Sequence, residues 1–420
     1  MAKFIIEGGR KLKGEITVGG NKNSVLPIIA ATLLTKEECI LENVPVIRDA
    51  VTMGEILKDL GAKVEGLGTN KLIINTKNVK RYDLNPNLVQ KLRASILFLG
   101  PLLARFGKAE MRHPGGCVIG RRAVGTHFEA VSALGSKIIT GPENYEAEAK
   151  ELSPATIFLD EASVTATENA MMMASLIPGT TIIEDAACEP HVEDLAAFLN
   201  VMGAKIEGAG TNRVKITGVG RLRGTKFTIS PDHIDIGTFA IIAAVTGGNV
   251  KITPVKEKDL KMILLYLKRM GVKLKIQNKI MEIFPSVLIA PKEKVQTRPW
   301  PGFPTDLMSP MIVLATQAAG TTLCHDWMYE GRMFFTDKLI SMGANIALCD
   351  PHRVLVSGPT KLHGKEMESP DLRAGMALIA AALCAKGVSV IKNAELVERG
   401  YENIEERLKS LGAAIERVEK

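Results

Sequence analysis

The 420-residue sequence predicts an α/β protein with helices inside and sheets outside, and two patterns support this prediction. A Leu-Gly or Met-Gly pair before a β-rich stretch recurs at Leu60, Leu134, Met202, Met270, Met342 and Leu411. The recurrence indicates repeat units of about 70 residues. Each unit also contains a helical segment that is apolar nearly all round, such as IGTFAIIAAVT. A helix without a polar face is a buried helix.

Each unit is predicted to have the order βαβαββ. The buried helix precedes a β-rich segment such as TTIIED and an amphipathic helix such as DAVTMGEILKDL, which the Leu-Gly or Met-Gly pair ends. Two short strands close the unit, as in AKVEG and KLIIN. Six buried helices do not share one axis easily, so we expect two similar domains of three units each. The boundary between the two domains is expected near residue 230.

Composition and charge narrow the class of partner. The net charge of +7 and the pI near 8.9 favour anions, but the basic residues are scattered without Lys/Arg runs. Aromatic residues make up only 5% of the chain and are not interleaved with the basic ones as bases would require. We therefore expect a small anionic ligand and no nucleic acid.

Cysteine usage and motif searches predict a cytoplasmic protein without a metal or organic cofactor. Six cysteines form neither a CxxC pair nor a Cys/His cluster with zinc spacing, which indicates reduced thiols. The phosphate-loop, GxSxG, HExxH and dinucleotide GxGxxG motifs are absent from the sequence. Its apolar runs are too short for a signal peptide or a membrane span. The sequence leaves the oligomeric state open, and a monomer is compatible with it.

The starts of the predicted buried helices are unusually polar. The residues concerned are Lys22, Asn23, Lys91, Arg93, Ser163, Thr167, Asp232, His233, Asp235, Asp306, Asp371 and Arg373. A second basic set precedes the amphipathic helices, at Arg48, Arg122, Lys256, Arg332 and Arg399. Helix N-termini and guanidinium groups both bind anions, so this pattern predicts a small, multiply anionic substrate. The alternative is that Asn23, Ser163, Asp306 and Asp371 simply cap helices and that the arginines are solvated.

Cys117 lies in the stretch MRHPGGCVIGRR. Pro114 and the two following glycines predict an exposed turn, and the flanking cations lower a thiol pKa, so we interpret Cys117 as reactive. The alternative is a small buried apolar residue, which is how we interpret the other five cysteines. The connection from Gly107 to Leu134 is longer than its counterparts in the third to sixth units, and Cys117 lies in this extension.

Six segments of the sequence resemble the enolpyruvyl transferases along the whole chain: GNKNS, KLRASILFLGPLLA, PGGCVIG, PGFPTDLMSP, DLRAGMALIAAALCAKG and ERGYENIEERLKSLGA. PGGCVIG favours the sugar-nucleotide branch over the shikimate-3-phosphate branch, which lacks the cysteine loop. The resemblance implies two inside-out α/β barrels of three units each. The implied domains are residues 22–229, with the cysteine loop, and residues 1–21 with 230–420, with the active site in the cleft between them.

The activity implied by the resemblance is transfer of the enolpyruvyl group of phosphoenolpyruvate to the 3-hydroxyl of UDP-N-acetylglucosamine, with release of phosphate. This is the first committed step of peptidoglycan synthesis, on which cell shape and division depend. By resemblance, Cys117 donates a proton to C3 and is able to form a covalent adduct at C2, and Asp306 takes the hydroxyl proton. Lys22 and Arg399 belong to the catalytic set, and Asp371 orients Arg373 or the reacting centre.

Substrate-binding residues are also implied by the resemblance, grouped by the part of the substrate they meet. Those for the phosphate are Lys22, Arg122 and Arg399, and those for the carboxylate are Arg332 and Arg373. Those for the sugar nucleotide are Asn23, Arg93, Ala123, Val124, Gly125, Thr126, Ser163, Val164 and Met328.

Two departures from the family pattern leave other functions open. Gly125 stands where the family commonly has an aspartate that helps to bind uridine, and Glu161 stands where a basic residue is often found. A second hypothesis is therefore the same fold with a different acceptor or nucleotide. A third is a non-catalytic anion-binding paralogue, against which Cys117, Asp306 and Lys22 argue.

Overall fold

The computed structural model describes residues 2–115 and 123–419. These residues form two compact units. One unit runs from the N-terminus to Gly19 and resumes at Pro231. The other contains the described residues between Gly20 and Ser230.

The helices of the described residues follow the predicted alternation of buried and amphipathic segments. They are α1 Lys22–Ala31, α2 Arg48–Asp59, α3 Pro86–Val89, α4 Leu99–Phe106, α5 Gly125–Ala133, α6 Val164–Ala174, α7 Pro190–Val201, α8 His233–Val245, α9 Lys261–Arg269, α10 Met308–Gln317, α11 Thr336–Ser341, α12 Leu372–Cys384, α13 Ala394–Val397 and α14 Ile404–Ser410. Short 3₁₀ helices lie at Thr32–Leu34, Arg93–Phe98, Glu257–Leu260 and Thr305–Leu307.

The strands of the described residues are short. They are β1 Lys3–Glu7, β2 Lys13–Thr17, β3 Glu38–Glu42, β4 Lys63–Glu65, β5 Lys71–Asn75, β6 Lys108–Arg112, β7 Lys137–Thr140, β8 Asn144–Glu148, β9 Thr156–Phe158, β10 Gly179–Glu184, β11 Lys205–Glu207, β12 Arg213–Gly218, β13 Lys226–Thr228, β14 Asn249–Thr253, β15 Lys273–Gln277, β16 Ile280–Phe284, β17 Val295–Gln296, β18 Gly320–His325, β19 Asn345–Asp350, β20 Arg353–Gly358, β21 Glu366–Glu368, β22 Val388–Lys392 and β23 Ala414–Val418.

The four-stranded sheets share one topology. In the order β9-β10-β12-β11, for example, β9 is parallel to β10 and the other pairs are antiparallel, which is the βαβαββ unit predicted from the repeats. Other sheets complete this pattern with strands from distant parts of the chain: β13 pairs with β3, β2 pairs with β14, and β1 lies between β22 and β23. The sheet β6-β8-β7 has three strands, and its parallel partner is reduced to the bridge between Asp83 and Glu110.

The Leu-Gly and Met-Gly pairs end the amphipathic helices as predicted. Leu60 and Met202, for example, are the C-cap residues of α2 and α7. Each is followed by a glycine with a positive φ, 104° at Gly61 and 108° at Gly203, a conformation that side chains with a Cβ disfavour. The next amide then bonds back into the last turn, as in Ala204 N–H to the carbonyl of Leu199 at 2.9 Å.

The apolar helices form the cores of the two units. Every residue of α8 is buried, as is every residue of α12 except Cys384, and both pack in one hydrophobic cluster. In the other unit, α1 and α6 occupy the corresponding core. The prediction of inside helices and outside sheets is therefore confirmed. Among the described residues, no helix is both long and apolar enough to span a bilayer.

One predicted helix is divided. The predicted helical segment ASILFLGPLLA is a 3₁₀ helix up to Phe98 and becomes α4 at Leu99, and the physical reason is the fully buried amide of Asn169 on α6. Its Nδ2 donates to the carbonyl of Ile96 at 3.1 Å, and its Oδ1 accepts from the Gly100 N–H at 2.8 Å. These two backbone groups would otherwise bond to each other in a continuous α-helix.

We expect Asn169→Ala to lower the free energy of unfolding by about 3 kcal/mol, because it leaves a buried N–H and a buried C=O unsatisfied. Asn200 is a matched control, since its amide also bridges an N–H and a C=O, both of Ile206, but the residue is exposed and water can replace it. Asn200→Ala is expected to cost about 1 kcal/mol or less. Urea unfolding monitored by circular dichroism measures both, and equal losses would contradict the bridging role.

Candidate active site

In the unit that resumes at Pro231, three predicted site residues, Asp306, Arg332 and Arg373, form one ion cluster. Asp306 lies in the 3₁₀ turn before α10, and Arg373 lies in the first turn of α12. Nη2 of Arg373 donates to Asp306 Oδ2 at 2.7 Å, and Nη2 of Arg332 donates to Oδ1 at 3.4 Å. The arginine side chains are 5% and 3% exposed, whereas the aspartate side chain is 25% exposed. The carboxylate therefore forms the accessible edge of an otherwise buried ion cluster.

Asp326 is a second carboxylate of this cluster and is completely buried. It lies 3.9 Å from Nε of Arg332 and accepts hydrogen bonds from the Thr305 hydroxyl and, at 3.0 Å, from the N–H of Met328. It therefore holds both Arg332 and the predicted site residue Met328. Sequence reasoning missed Asp326, although its place directly after the strand TTLCH is a usable signal.

Electrostatics favour the charged state of the buried Arg373. Burial disfavours its guanidinium charge, but the neighbouring groups together, Asp306 first among them and then Tyr401 and Asp232, outweigh burial, and the pKa of Arg373 is raised. Removing one member of such a buried pair leaves an uncompensated charge, which typically costs about 3–5 kcal/mol. The effects of substituting Asp306, Arg332 and Arg373 on stability are therefore expected to be coupled rather than additive.

The alternative interpretation of the predicted site residues as simple helix caps holds at some positions and fails at others. Asp371 does cap α12: its Oδ1 accepts from the N–H of Arg373 at 2.8 Å and of Ala374 at 3.1 Å, which also fixes the backbone of Arg373. Asp306 interacts with arginines instead, and the N-cap of its turn is Pro304. For α1 the interpretation of Asn23 as the cap was wrong, because Asn21 is the cap and accepts from Asn23 N–H at 2.8 Å.

The other predicted groups of this unit lie near helix ends. His233 starts α8, is buried, and its ring is 5.5 Å from that of Trp300. Burial lowers the pKa of His233 to about 4, with Arg373 and Lys256 also disfavouring its protonation, so the imidazole is neutral at pH 7. Arg399 is partly buried in the turn between α13 and α14.

In the unit between Gly20 and Ser230, the starts of α1 and α2 are joined by an ion pair. Lys22 is the first residue of α1, and its Nζ lies 2.9 Å from Oδ2 of Asp49 in the first turn of α2. The two side chains are 13% and 5% exposed, so this ammonium group has a fixed position. Asp49 was missed by sequence reasoning, since nothing local indicates a partner 27 positions away.

A second group of predicted residues in this unit lies around residues 123–127. Nη2 of Arg93 donates to the carbonyl of Ala123 at 2.8 Å. The Thr126 hydroxyl donates to Asp160 at 2.7 Å, and His127 Nε2 lies 2.6 Å from the Thr165 hydroxyl. These contacts tie the start of α5 to the start of α6. They bring Ala123, Val124, Gly125 and Thr126 near Ser163, which is the N-cap of α6, and Val164.

Two predicted site residues, Cys117 and Arg122, lie outside the described residues. Besides Asp49, sequence reasoning missed Asp160 and Thr165 in this unit, which pair with Thr126 and His127, more than 30 positions away along the sequence. A polar residue next to a helix start is the only sequence signal at these positions.

Comparisons with known proteins agree with this architecture. The family model of EPSP synthase (3-phosphoshikimate 1-carboxyvinyltransferase) matches residues 6–408. The UDP-N-acetylglucosamine 1-carboxyvinyltransferase of Treponema denticola is 48% identical over 433 residues, which cover 100% of both chains. The enzyme of the same name from Bradyrhizobium diazoefficiens is 48% identical over 423 residues, which cover 99% of this chain and 98% of the relative.

Among solved structures, the enolpyruvyl transferase NikO from Streptomyces tendae matches with a TM-score of 0.89 at 26% identity and covers 99% of both chains. The fold is thus that of the two-domain, inside-out enolpyruvyl transferases, and the resemblance noted in the sequence is confirmed. The chain belongs to the EPSP synthase family and, within it, groups with the UDP-N-acetylglucosamine 1-carboxyvinyltransferases.

Buried His233 predicts a pH dependence of stability. Because its pKa falls from 6.5 to about 4 on folding, the unfolded chain binds more protons between these values, and stability is lost as the pH falls through this window. The loss attributable to His233 reaches about 3 kcal/mol near pH 4. In His233→Asn this part is absent, so urea unfolding at pH 7 and pH 4.5 should show a smaller difference than in the wild type. The exposed His363→Gln variant should behave as the wild type does, and equal pH dependence in all three proteins would contradict the assignment.

Proposed function

We propose that this protein transfers the enolpyruvyl group of phosphoenolpyruvate to the 3-hydroxyl of UDP-N-acetylglucosamine and releases phosphate, as the first committed step of peptidoglycan synthesis. The observation that carries the proposal is the full-length similarity to enzymes of that name. The cluster of Asp306, Arg332 and Arg373 supports it, since it combines a proton acceptor with cations for a carboxylate.

The chemistry requires an addition followed by an elimination. The sugar hydroxyl adds to C2 of phosphoenolpyruvate while C3 gains a proton, and loss of a proton from C3 and of phosphate from C2 restores the double bond. An acid near C3, a base near the hydroxyl and cations around the phosphate and carboxylate are needed. In this proposal, Cys117 is the acid and Asp306 is the base.

The surroundings of Asp306 suggest how it becomes a base when it is needed. Hydrogen bonds from Arg373 and Arg332 stabilise its ionised form and so weaken it as a proton acceptor. A substrate carboxylate that binds the same two guanidinium groups takes over part of these donors. The ionised form of Asp306 is then less stabilised, so Asp306 accepts the hydroxyl proton more readily. Asp371 contributes by fixing the backbone of Arg373.

The remaining groups are proposed to bind the anionic and nucleotide parts. Lys22, held by Asp49, joins Arg122 and Arg399 at the phosphate. The residues proposed for the sugar nucleotide are Asn23, Arg93, Ala123, Val124, Gly125, Thr126, Ser163, Val164 and Met328. We further propose a cytoplasmic location and no nucleic-acid partner.

An altered acceptor specificity is the second candidate, and Gly125 is the observation that favours it. Among the described residues, no atom lies within 4 Å of a Cβ built at Gly125. The fold therefore does not require glycine at this first position of α5, and its presence changes what the site offers to a nucleotide.

Phosphate release from phosphoenolpyruvate tests the proposed reaction. We expect release only when UDP-N-acetylglucosamine is present, and we expect Cys117→Ala to reduce it at least about 100-fold, because the proton donor is lost. Cys349→Ala, at an exposed thiol, is the matched control and should retain wild-type rates. Release independent of the acceptor would refute the transferase, no release under any condition would favour a non-catalytic paralogue, and a fully active Cys117→Ala would refute the role of the thiol.

Gly125→Asp tests the acceptor preference. Because the position is open and starts a helix, the carboxylate is expected to be accommodated and to stabilise the protein by about 0.5 kcal/mol. If the aspartate helps to hold uridine, the KM for UDP-N-acetylglucosamine should fall while the KM for phosphoenolpyruvate is unchanged. Gly220→Asp, also at a position without close neighbours, is the control. An unchanged or higher KM for the sugar nucleotide would contradict the prediction.

A further inference from the structure

Tyr401 is the largest fully buried side chain among the described residues, with 1% of its surface exposed. It lies two residues after Arg399, in the turn between α13 and α14, and its N–H donates to the carbonyl of Val397 at 3.1 Å. A phenol buried in an apolar core needs partners for its hydroxyl. The hydroxyl has its partner, Thr238, on the core helix α8, and the ring packs against Arg373 on the core helix α12.

The direction of the hydrogen bonds follows from counting protons. The Thr238 hydroxyl has one proton and donates it to the carbonyl of Ile234 at 2.8 Å. In its 3.1 Å contact with Tyr401, Thr238 is therefore the acceptor and the phenol is the donor. The Arg373 guanidinium lies over the Tyr401 ring, with its carbon 5.2 Å from the ring centroid. The ring is thus anchored to the backbone of α8 through Thr238 and packs against Arg373 on α12.

We propose that Tyr401 is a positioning residue for the enolpyruvyl donor: it holds the Arg373 guanidinium beside Asp306 and anchors the turn that contains Arg399. This inference rests on the proposed roles of Arg373 at the carboxylate and of Arg399 at the phosphate.

The geometry explains why one phenol affects both cations. Asp306 binds one edge of the planar Arg373 guanidinium at 2.7 Å, and the Tyr401 ring covers its face, with the ring centroid 5.2 Å from the guanidinium carbon. An acceptor at the edge and a ring at the face fix the orientation of the plane, so the remaining N–H groups point in a defined direction. The same ring fixes the backbone two residues after Arg399. Burial raises the pKa of Tyr401, which keeps the phenol protonated and able to donate to Thr238.

A separate anchor makes the phenol testable without loss of the fold. Arg407 on α14 donates to Asp235 on α8 at 2.6 Å and lies 4.4 Å above the Phe239 ring. This ion pair joins α14 to α8 independently of Tyr401. Removing only the phenol oxygen is therefore expected to disturb the orientation of Arg373 and Arg399 more than the packing of the helices.

The experiment compares steady-state kinetics of Tyr401→Phe, Thr238→Val and Thr238→Ser with the wild type. We expect Tyr401→Phe to raise the KM for phosphoenolpyruvate roughly tenfold, because it removes the hydrogen bond to Thr238 that fixes the ring against Arg373, with little change in the KM for UDP-N-acetylglucosamine. Thr238→Val should have a similar effect that does not add to that of Tyr401→Phe, and Thr238→Ser should restore wild-type values. The control is Tyr266→Phe, another buried tyrosine of this unit, whose hydroxyl donates to the carbonyl of Lys294 at 3.4 Å.

Arg373→Lys separates this inference from the proposal on which it rests. If Arg373→Lys raises the KM for phosphoenolpyruvate but Tyr401→Phe and Thr238→Val do not, the positioning role is refuted. The positioning role is also refuted if Tyr401→Phe lowers the melting temperature but leaves the KM for phosphoenolpyruvate unchanged, which is the result expected for Tyr266→Phe. If Arg373→Lys also leaves this KM unchanged, the role of Arg373 is wrong and the inference is overturned with it.

Discussion

The pairing of the Asp306 carboxylate with two buried guanidinium groups is the interaction on which the proposed chemistry depends. Arg373 and Arg332 are nearly inaccessible, and buried cations persist only where carboxylates compensate them. Asp306 and Asp326 supply that compensation, and Asp306 alone retains an accessible edge. An anionic substrate that shares the arginines with Asp306 changes the charge balance of the cluster, so substrate binding and activation of the base are linked through the same donors.

The inside-out architecture explains why the reactive groups gather where they do. Helices that are buried along their whole length leave only their first turns for polar side chains, and unpaired N–H groups there favour anions. Asp306, Arg373 and His233 all lie at such starts in one unit, and Lys22 lies at one in the other. The repeat thus places polar residues at the starts of the buried helices, and the residues differ from one helix to the next.

The sequence predicted what is local and periodic. The glycine after each amphipathic helix requires a positive φ, and the apolar helices lack a polar face, so both patterns could be read directly. Pairings across the chain left no such signal: Asp49 with Lys22, Asp160 with Thr126, and the amide of Asn169 that separates the 3₁₀ helix Arg93–Phe98 from α4 depend on packing. The cap of α1 is local, but several polar residues lie together at this helix start, and Asn21 has the role that the alternative interpretation gave to Asn23.

Isotope exchange at C3 of the donor tests most directly whether addition and elimination both occur on this protein. With phosphoenolpyruvate and UDP-N-acetylglucosamine in D₂O, the proposed mechanism predicts a carboxyvinyl product with deuterium at C3, detectable by mass spectrometry and NMR. A product that contains only hydrogen at C3, formed at normal rates, would contradict protonation of that carbon and with it the proposed role of Cys117.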